Sequence, residues 1–325
     1  MRIDPAIAKL VADPAPLFGA GEAVRGWSED PAVAPLLAEL GRYGSGTALS
    51  ECPGLSGLIA AGAEGAGFAR RAAGVAAQHL RAEPLALWPW RHFSNGVLHS
   101  VTIAADGDAS LSLAVVDGAP WFAARDPLVP DLAAFQPGTL HAVVVGGTAS
   151  GRIMRNRSDD PARAQIESQP IAFAPGTAFT IAGEREALAL DAIGGLLMTL
   201  RLYRRPAGNV PARQYDVASG MLVHQAAGEQ SDSRAELMMA LLRAMERSDA
   251  APALAALARS GAPPARWQAL RECLALDSAA GFAALVEVAA QADDPLCAPA
   301  RSLAETLAAQ HPALARMREE LLCRA

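Results

Sequence analysis

The sequence predicts an α+β protein. An antiparallel β-sandwich or jelly roll lies between an N-terminal helical segment and a C-terminal all-α domain. Three observations predict this. Residues 88–228 hold short alternating strands separated by turn dipeptides. Residues 1–87 and 229–325 instead carry apolar residues at helical spacing. Capping and proline signals mark the helix starts on both sides. The 325 residues suffice for several domains, and 51% hydrophobic content allows a substantial core.

The N-terminal helices begin at Asp30-Pro31, an N-cap followed by proline at the first helical position. Leu36, Leu37 and Leu40 form a stripe that Gly41 and Gly44 close. A longer helix is expected from about Leu55 to Leu80, ending before Pro84. The stretch from Gly54 to Gly67 is too short and glycine-rich for a membrane span, and Glu64 interrupts it.

From Trp88 the period changes. Val97, His99, Val101 and Ile103 alternate with their neighbours, Asp106-Gly107 reads as a hairpin turn, and Ser110 to Val116 as the return strand. A proline-rich loop is expected through Pro137. Leu140–Val145 and Ala149–Arg155 read as a second hairpin around Gly146-Gly147. Strands follow at Gln165–Phe173, Ala178–Ala182, Ala187–Asp191 and Leu196–Tyr203, with turns at Pro175-Gly176 and Gly194-Gly195. Beyond Ser231, Ser233-x-x-Glu236 reads as a capping box, with Leu237, Leu241 and Met245 on one helix face. Further helices are expected near Pro263, after Asp277, at Asp294-Pro295 and after Pro312.

Composition excludes some functions. The net charge is −6 with no basic stripe, so nucleic acid is not an expected partner. The start of the chain lacks an apolar signal region, and Cys52, Cys273, Cys297 and Cys323 form no CxxC pair. The expectation is a cytoplasmic protein with buried free thiols and no membrane partner. No GxSxG elbow, phosphate-binding GxxxxGK[ST] loop or HExxH motif occurs.

The stretch LLMTLRLYRRPAGNVPARQYDVASG, residues 196–220, resembles the end of the barrel in cysteine dioxygenase-like cupins. There a strand of the form S-L-H-L-Y precedes a proline-containing loop and Y/F-D-x-x-T/S-G. Thr199, Arg201 and Tyr203 stand at the serine, histidine and tyrosine positions, and Tyr215, Asp216, Ser219 and Gly220 match the second part. Trp90-Arg91 followed by Asn95-Gly96 is similar to the family's entry into the barrel, where an arginine binds the substrate carboxylate. The resemblance covers residues 88–222. It implies a cupin barrel with Arg91, Thr199, Arg201 and Tyr203 around a pocket.

The departure from the family pattern matters equally. The family's H-x-H pair should fall near Ala133 to Phe135, and its later histidine near Glu184 to Glu186. Neither place holds a histidine, and the chain has only six. The expected reading is therefore a metal-free, degenerate cupin without catalysis or cofactor, binding a small carboxylate through Arg91 and Arg201, with Tyr203 donating a hydrogen bond. The alternative is a thiol dioxygenase-like oxidoreductase whose Fe(II) is held at a displaced site by His99, His141 and Glu184 or Glu186. On the Thr199–Tyr203 strand the sequence leaves open which face points inward. The C-terminal helices are a candidate surface for homodimerisation or partner binding.

Overall fold

The computed structural model describes residue 11 and residues 19–60, 62–123, 131–208, 210–226, 228 and 230–322. Helix and antiparallel sheet are both present, in two compact units: Met1–Gly208 with Arg213–His224, and Asn209–Ala212 with Gln225–Ala325.

In the first unit, helices α1 (Ala20–Ser28), α2 (Ala34–Gly44), α3 (Pro53–Ala60) and α4 (Gly62–Ala82) lead into the strands. The helix expected from Leu55 to Leu80 is seen as Pro53–Ala60 and Gly62–Ala82, with residue 61 outside the described residues. Gly62, the first residue of α4, lies against the backbone of Gly176, where a Cβ would stand 2.2 Å from the Gly176 Cα.

The strands are β1 (Arg91–Ser94), β2 (Leu98–Asp106), β3 (Ala109–Asp117), β4 (Leu132–Phe135), β5 (Thr139–Asn156), β6 (Ile166–Phe173), β7 (Ala178–Ala182), β8 (Glu186–Arg204), β9 (Ala212–Asp216) and β10 (Leu222–Ala226). A short helix, α5 (Gly118–Ala123), follows β3. The larger sheet runs β1-β2-β3-β8-β5-β6, with β7 also paired to β5; the smaller runs β10-β9-β4.

Two features correct the expectation. First, the segment read as loop before Pro137 contains β4, which pairs with β9. Second, neither Gly146-Gly147 nor Gly194-Gly195 is a hairpin turn. Each lies inside one long strand, of 18 residues in β5 and 19 in β8. The pairing shifts register between Val144 and Gly146, between Gly146 and Thr148, and between Ser150 and Gly151. Gly147 adopts φ 79°, and a Cβ there would stand 1.6 Å from the Leu196 carbonyl oxygen. The glycine pairs are bulges that bend two long strands together.

The helices cover one face of the larger sheet. Leu111, Val143, Leu200 and Leu202 from the strands join Trp27, Leu40, Tyr43, Leu55, Leu58 and Phe68 from the helices in one cluster. Trp90 completes it, edge-on to Trp27 at 5.3 Å. A Cβ on Gly65 of α4 would come within 2.9 Å of Val143, so glycine permits the close helix–sheet approach. The opposite face carries a second cluster: Val116, Ala142, Val144, Phe179, Ile181 and Leu197. A third holds Ala133, Phe135 and Tyr215 of the small sheet against Met154 and Ala187.

The second unit is a helical array: α6 (Gln230–Ala244), α7 (Ala251–Leu257), α8 (Pro263–Leu276), α9 (Ser278–Ala290), α10 (Cys297–Gln310) and α11 (Pro312–Leu322). The Asp277 side chain caps α9 by accepting from the amides of Ala279 and Ala280, both at 3.0 Å. Helix α6 starts at Gln230, upstream of Ser233, so Ser233 lies within the helix and is not its N-cap. Leu254, Leu270, Cys273, Phe282 and Leu285 fill the core. Arg266 donates to the Ala258 carbonyl at 2.9 Å and pairs with Asp294, both side chains being almost wholly buried. Cys52, Cys273 and Cys297 are free buried thiols, and Cys323 lies outside the described residues. Among the described residues no helix is long and apolar enough to cross a membrane.

Two substitutions test this packing. Leu200→Ala removes a side chain at 0% exposure between sheet and helices; chemical denaturation should show a loss of about 2–5 kcal/mol. Arg266→Met removes the guanidinium that pairs with Asp294 and should lower the denaturation midpoint. An unchanged midpoint would show that the Leu296 amide and water satisfy Asp294 without it.

Candidate functional site

Strand β8 sits in the middle of the larger sheet and has two different faces. Ser110, Ser112 and Ala114 of β3 stand opposite Tyr203, Arg201 and Thr199. On its other side, Leu140, Ala142 and Val144 of β5 stand opposite the same three residues. Cross-strand partners share a face. Leu200 and Leu202 therefore meet the helices, while Thr199, Arg201 and Tyr203 turn to the other side. The leucines fill a core, while Arg201 and Tyr203 line a cavity and Thr199 is buried behind them without lining it.

That cavity has a volume of about 510 Å³. Arg201, Tyr203, Ser110, Ser112, Gln136 and Glu186 supply its polar wall, and Leu140, Ile181 and Leu188 its apolar one. Thr199 is 2% exposed and accepts a hydrogen bond from Arg201 Nε at 2.9 Å. This bond aims the guanidinium and leaves both terminal nitrogens available. No carboxylate pairs with Arg201 among the described residues. Burial pulls its pKa below the ordinary arginine value, yet a guanidinium stays charged at any physiological pH. The result is a half-buried fixed cation facing a small cavity.

Tyr203 differs from expectation. Its hydroxyl donates to the Pro137 carbonyl at 2.5 Å, so the proton expected for a ligand is already committed. Gly138 makes this possible, since a Cβ there would stand 2.7 Å from the Tyr203 oxygen. Burial raises the tyrosine's pKa, partly opposed by Arg205. Tyr203 thus offers the cavity an acceptor and an aromatic edge.

Arg91 is exposed and does not line the cavity. It does lie on the same sheet face and row as Arg201, through Thr102 and Ser112. Three strand spacings separate them, about 14 Å between backbones.

The displaced metal set is not brought together. His99 lies on β2 opposite Val115 and bonds Ser94 Oγ at 2.9 Å. His141 lies on β5 opposite Leu202, bonds Thr180 Oγ1 at 3.0 Å and packs edge-on to Tyr43. Both take the parity of the helix-facing leucines, away from the cavity. Burial, and then Arg204, lower the His141 pKa. Glu184 is exposed in the β7–β8 turn, over a separate depression shared with Arg204 and Arg205. Metal–nitrogen bonds near 2 Å could not join residues so placed. Among the described residues, no three or more His, Cys, Asp or Glu side chains gather as a metal site.

The segments aligned with the family's ligands do reach the cavity. Ala134 and Glu186 line it, but Ala133 and Phe135 turn toward Tyr215 in the small-sheet cluster. The donor set there holds no imidazole and does not fit the family's iron. The Tyr215-Asp216-x-x-Ser219-Gly220 motif builds a turn. Asp216 accepts from the Ser219 amide and hydroxyl, Gly220 has φ 70°, and the Tyr215 hydroxyl donates to the Pro161 carbonyl.

Three polar lining residues were not anticipated, Ser110, Ser112 and Gln136, and a fourth, Glu186, was named only as an alternative metal ligand. The first two carried a signal, since Ser110-Leu111-Ser112-Leu113 alternates strictly and marks a polar face. Glu186 reads as a solvated charge beside Arg185. In the structure it accepts from Arg155 Nε at 2.7 Å and from the Ala182 amide at 3.0 Å.

No model of a known protein family matches the chain, and no curated protein does. Among solved structures, it is similar to a chain from the crystal structures of the DMSP lyases RdDddP and RnDddQII, at 16% identity and TM-score 0.22. That match covers 40% of this chain and 65% of the other. HutD from Pseudomonas fluorescens SBW25 gives 13% identity and TM-score 0.24, covering 38% and 60%. A cupin-2 domain from Rhodospirillum rubrum gives 13% identity and TM-score 0.24, covering 37% and 73%.

The Glu186 contacts set a pH dependence. Burial would raise its pKa, but the Ala182 amide and the Arg155 guanidinium outweigh it and lower the value overall. A carboxylate lowered in the fold stabilises it above the unfolded pKa of about 4.3, and that gain disappears as pH falls through the folded pKa. Glu186→Gln should lower the melting temperature at neutral pH, with the gap to the parent protein closing below about pH 4. A gap of the same size at both ends would show that the charge is not what stabilises the contact.

Proposed function

We propose that the first unit is a degenerate, metal-free, cupin-like jelly roll that binds a small carboxylate-bearing ligand. The observation that carries this reading is Arg201: a fixed cation, aimed by Thr199 into a cavity of about 510 Å³, with no carboxylate partner among the described residues. Pockets of this size suit small molecules. The ligand carboxylate sits on the two terminal nitrogens of Arg201, a planar fork matched to two oxygens. Ser110 and Ser112 offer hydroxyls beside it, and Leu140, Ile181 and Leu188 receive the ligand's apolar part. Arg91 makes no direct contact in this reading. The paired, curved sheets and the polar face of β8 support the cupin-like description. No catalysis is assigned, because the polar wall holds no paired acid and base poised over the site.

Calorimetric titration with a panel of short mono- and dicarboxylates tests the reading. At least one should bind, and Arg201→Met should weaken it by about 30-fold or more, corresponding to the 2–5 kcal/mol lost with a buried charge partner. Arg201→Lys should recover only part of the affinity, lacking the fork. Equal binding by Arg201→Met would overturn the site, and stoichiometric iron in the purified protein would overturn its metal-free character.

A further inference from the structure

The cavity has two unlike ends, and a carboxylate on Arg201 engages only one of them. The other is built where the turn between β7 and β8 meets the residues entering β5. The Gly183 amide donates to the Gly138 carbonyl at 2.8 Å. A Cβ on Gly183 would stand 1.6 Å from the Gln136 carbonyl oxygen, and one on Gly138 2.7 Å from the Tyr203 oxygen. Two glycines thus let the turn, the strand entry and the tyrosine close together. Gly138, Gly183, Tyr203 and Glu186 all line the cavity.

This end presents acceptors. The Tyr203 proton goes to the Pro137 carbonyl, so its oxygen can only accept. Glu186 Oε1 accepts from Arg155 Nε and Oε2 from the Ala182 amide. Each carboxylate oxygen has room for one more donor. Ser110, opposite Tyr203 on β3, adds a hydroxyl that rotates to donate or accept. The charge here is balanced. Arg155 pairs with Glu186 from a separate depression and does not line the cavity, and Arg157 acts on the same carboxylate from that side. An ammonium entering this end would face those guanidinium groups behind Glu186, and a second carboxylate would face the Glu186 oxygens themselves. A neutral hydroxyl meets neither repulsion. It donates to Tyr203 or Glu186 and accepts from Ser110.

We infer that the ligand is a hydroxy acid, with its carboxylate on Arg201 and its hydroxyl at the far end of the chain, donating to the acceptors at Tyr203 and Glu186. The inference rests on the carboxylate reading above and names the second group that the same site selects. The spacing of the two ends sets the ligand's length. Arg201 and Tyr203 stand two residues apart on β8, about 7 Å along the strand. Their side chains lean away from each other, Arg201 back toward Thr199 and Tyr203 onward toward Pro137. The two polar groups of the ligand are therefore separated by several bonds, and a hydroxyl next to the carboxylate would not reach.

Calorimetric titration of the full chain tests this with butanoate, pentanoate and hexanoate, each beside its terminally hydroxylated, aminated and carboxylated analogue. At the best-fitting length the hydroxy acid should bind about tenfold tighter than the plain acid, as expected for one hydrogen bond to a charged or strongly polar acceptor. The amino and dicarboxylic analogues should bind more weakly than the hydroxy acid. Tyr203→Phe should narrow the hydroxyl preference while leaving the plain acid's affinity unchanged, which a misfolded variant would not do. Glu186→Gln should strengthen the dicarboxylate about tenfold, because a carboxamide can donate where the carboxylate repelled. If no acid in the series responds to Arg201→Met, the carboxylate reading fails and this inference with it. If the plain acids bind through Arg201 but the hydroxyl adds nothing, or if the amino or dicarboxylic analogue binds tightest, the carboxylate reading stands and the hydroxy-acid inference is overturned.

Discussion

The first unit depends on the strict alternation of β8 between two unlike environments. Leu200 and Leu202 hold the helices to the sheet, and Thr199, Arg201 and Tyr203 are thereby turned the other way. The period of two makes these consequences inseparable. Burial of the leucines supplies the stability that offsets keeping a guanidinium half out of water. The Thr199 hydroxyl and the Pro137 carbonyl then satisfy two of the polar groups that this arrangement turns inward. The helical layer thus contributes to the site without touching it, by fixing which way the strand faces.

Much of this was legible in the sequence, and the failures share a cause. The strands from Ala178 to Ala182 and the β2–β3 hairpin follow from alternation and turn chemistry, because each is short and regular. The helices from Pro263 onward follow from proline and aspartate at their starts. Glycine pairs inside β5 and β8 misled the reading, since a Gly-Gly dipeptide fits a tight turn and a bulge equally well. The bulges also switch parity. On β8 the odd-numbered Leu197 joins the same apolar cluster as the even-numbered Leu188 and Leu190. No single alternation pattern describes residues 186–204, which is why Glu186 did not stand out as a wall residue. On α6 the periodic face of Leu237, Leu241 and Met245 was visible, yet all three are exposed, since periodicity does not say on which side of a helix its neighbours lie.

In the proposed reading, Arg201 does more than stand at the histidine position of the S-L-H-L-Y strand that the chain resembles. A guanidinium is itself a fixed positive charge. It attracts the anionic group of a ligand as a cation would, and it repels a divalent cation from the same space. The three unlike polar groups around it, the Ser112 hydroxyl, the Gln136 amide and the Glu186 carboxylate, suit hydrogen bonding more than coordination. Glu186 is held by Arg155 and by the Ala182 backbone, so its charge is largely spoken for.

The opposed bulges of β5 and β8 have one more consequence. They couple the lengths of two strands that lie more than thirty residues apart in the chain. A residue gained or lost in β5 between Thr139 and Val145 would slide half the strand past its bulge and exchange its inward and outward sets. Val143 would trade places with Ala142, and Arg201 would face different neighbours without itself being altered. Side chains along this pair can vary in kind, but the spacing between the glycine pairs and the strand ends is a quantity the fold must conserve. Insertions are accommodated in the loops, and this strand pair acts as the ruler that sets the dimensions of the cavity.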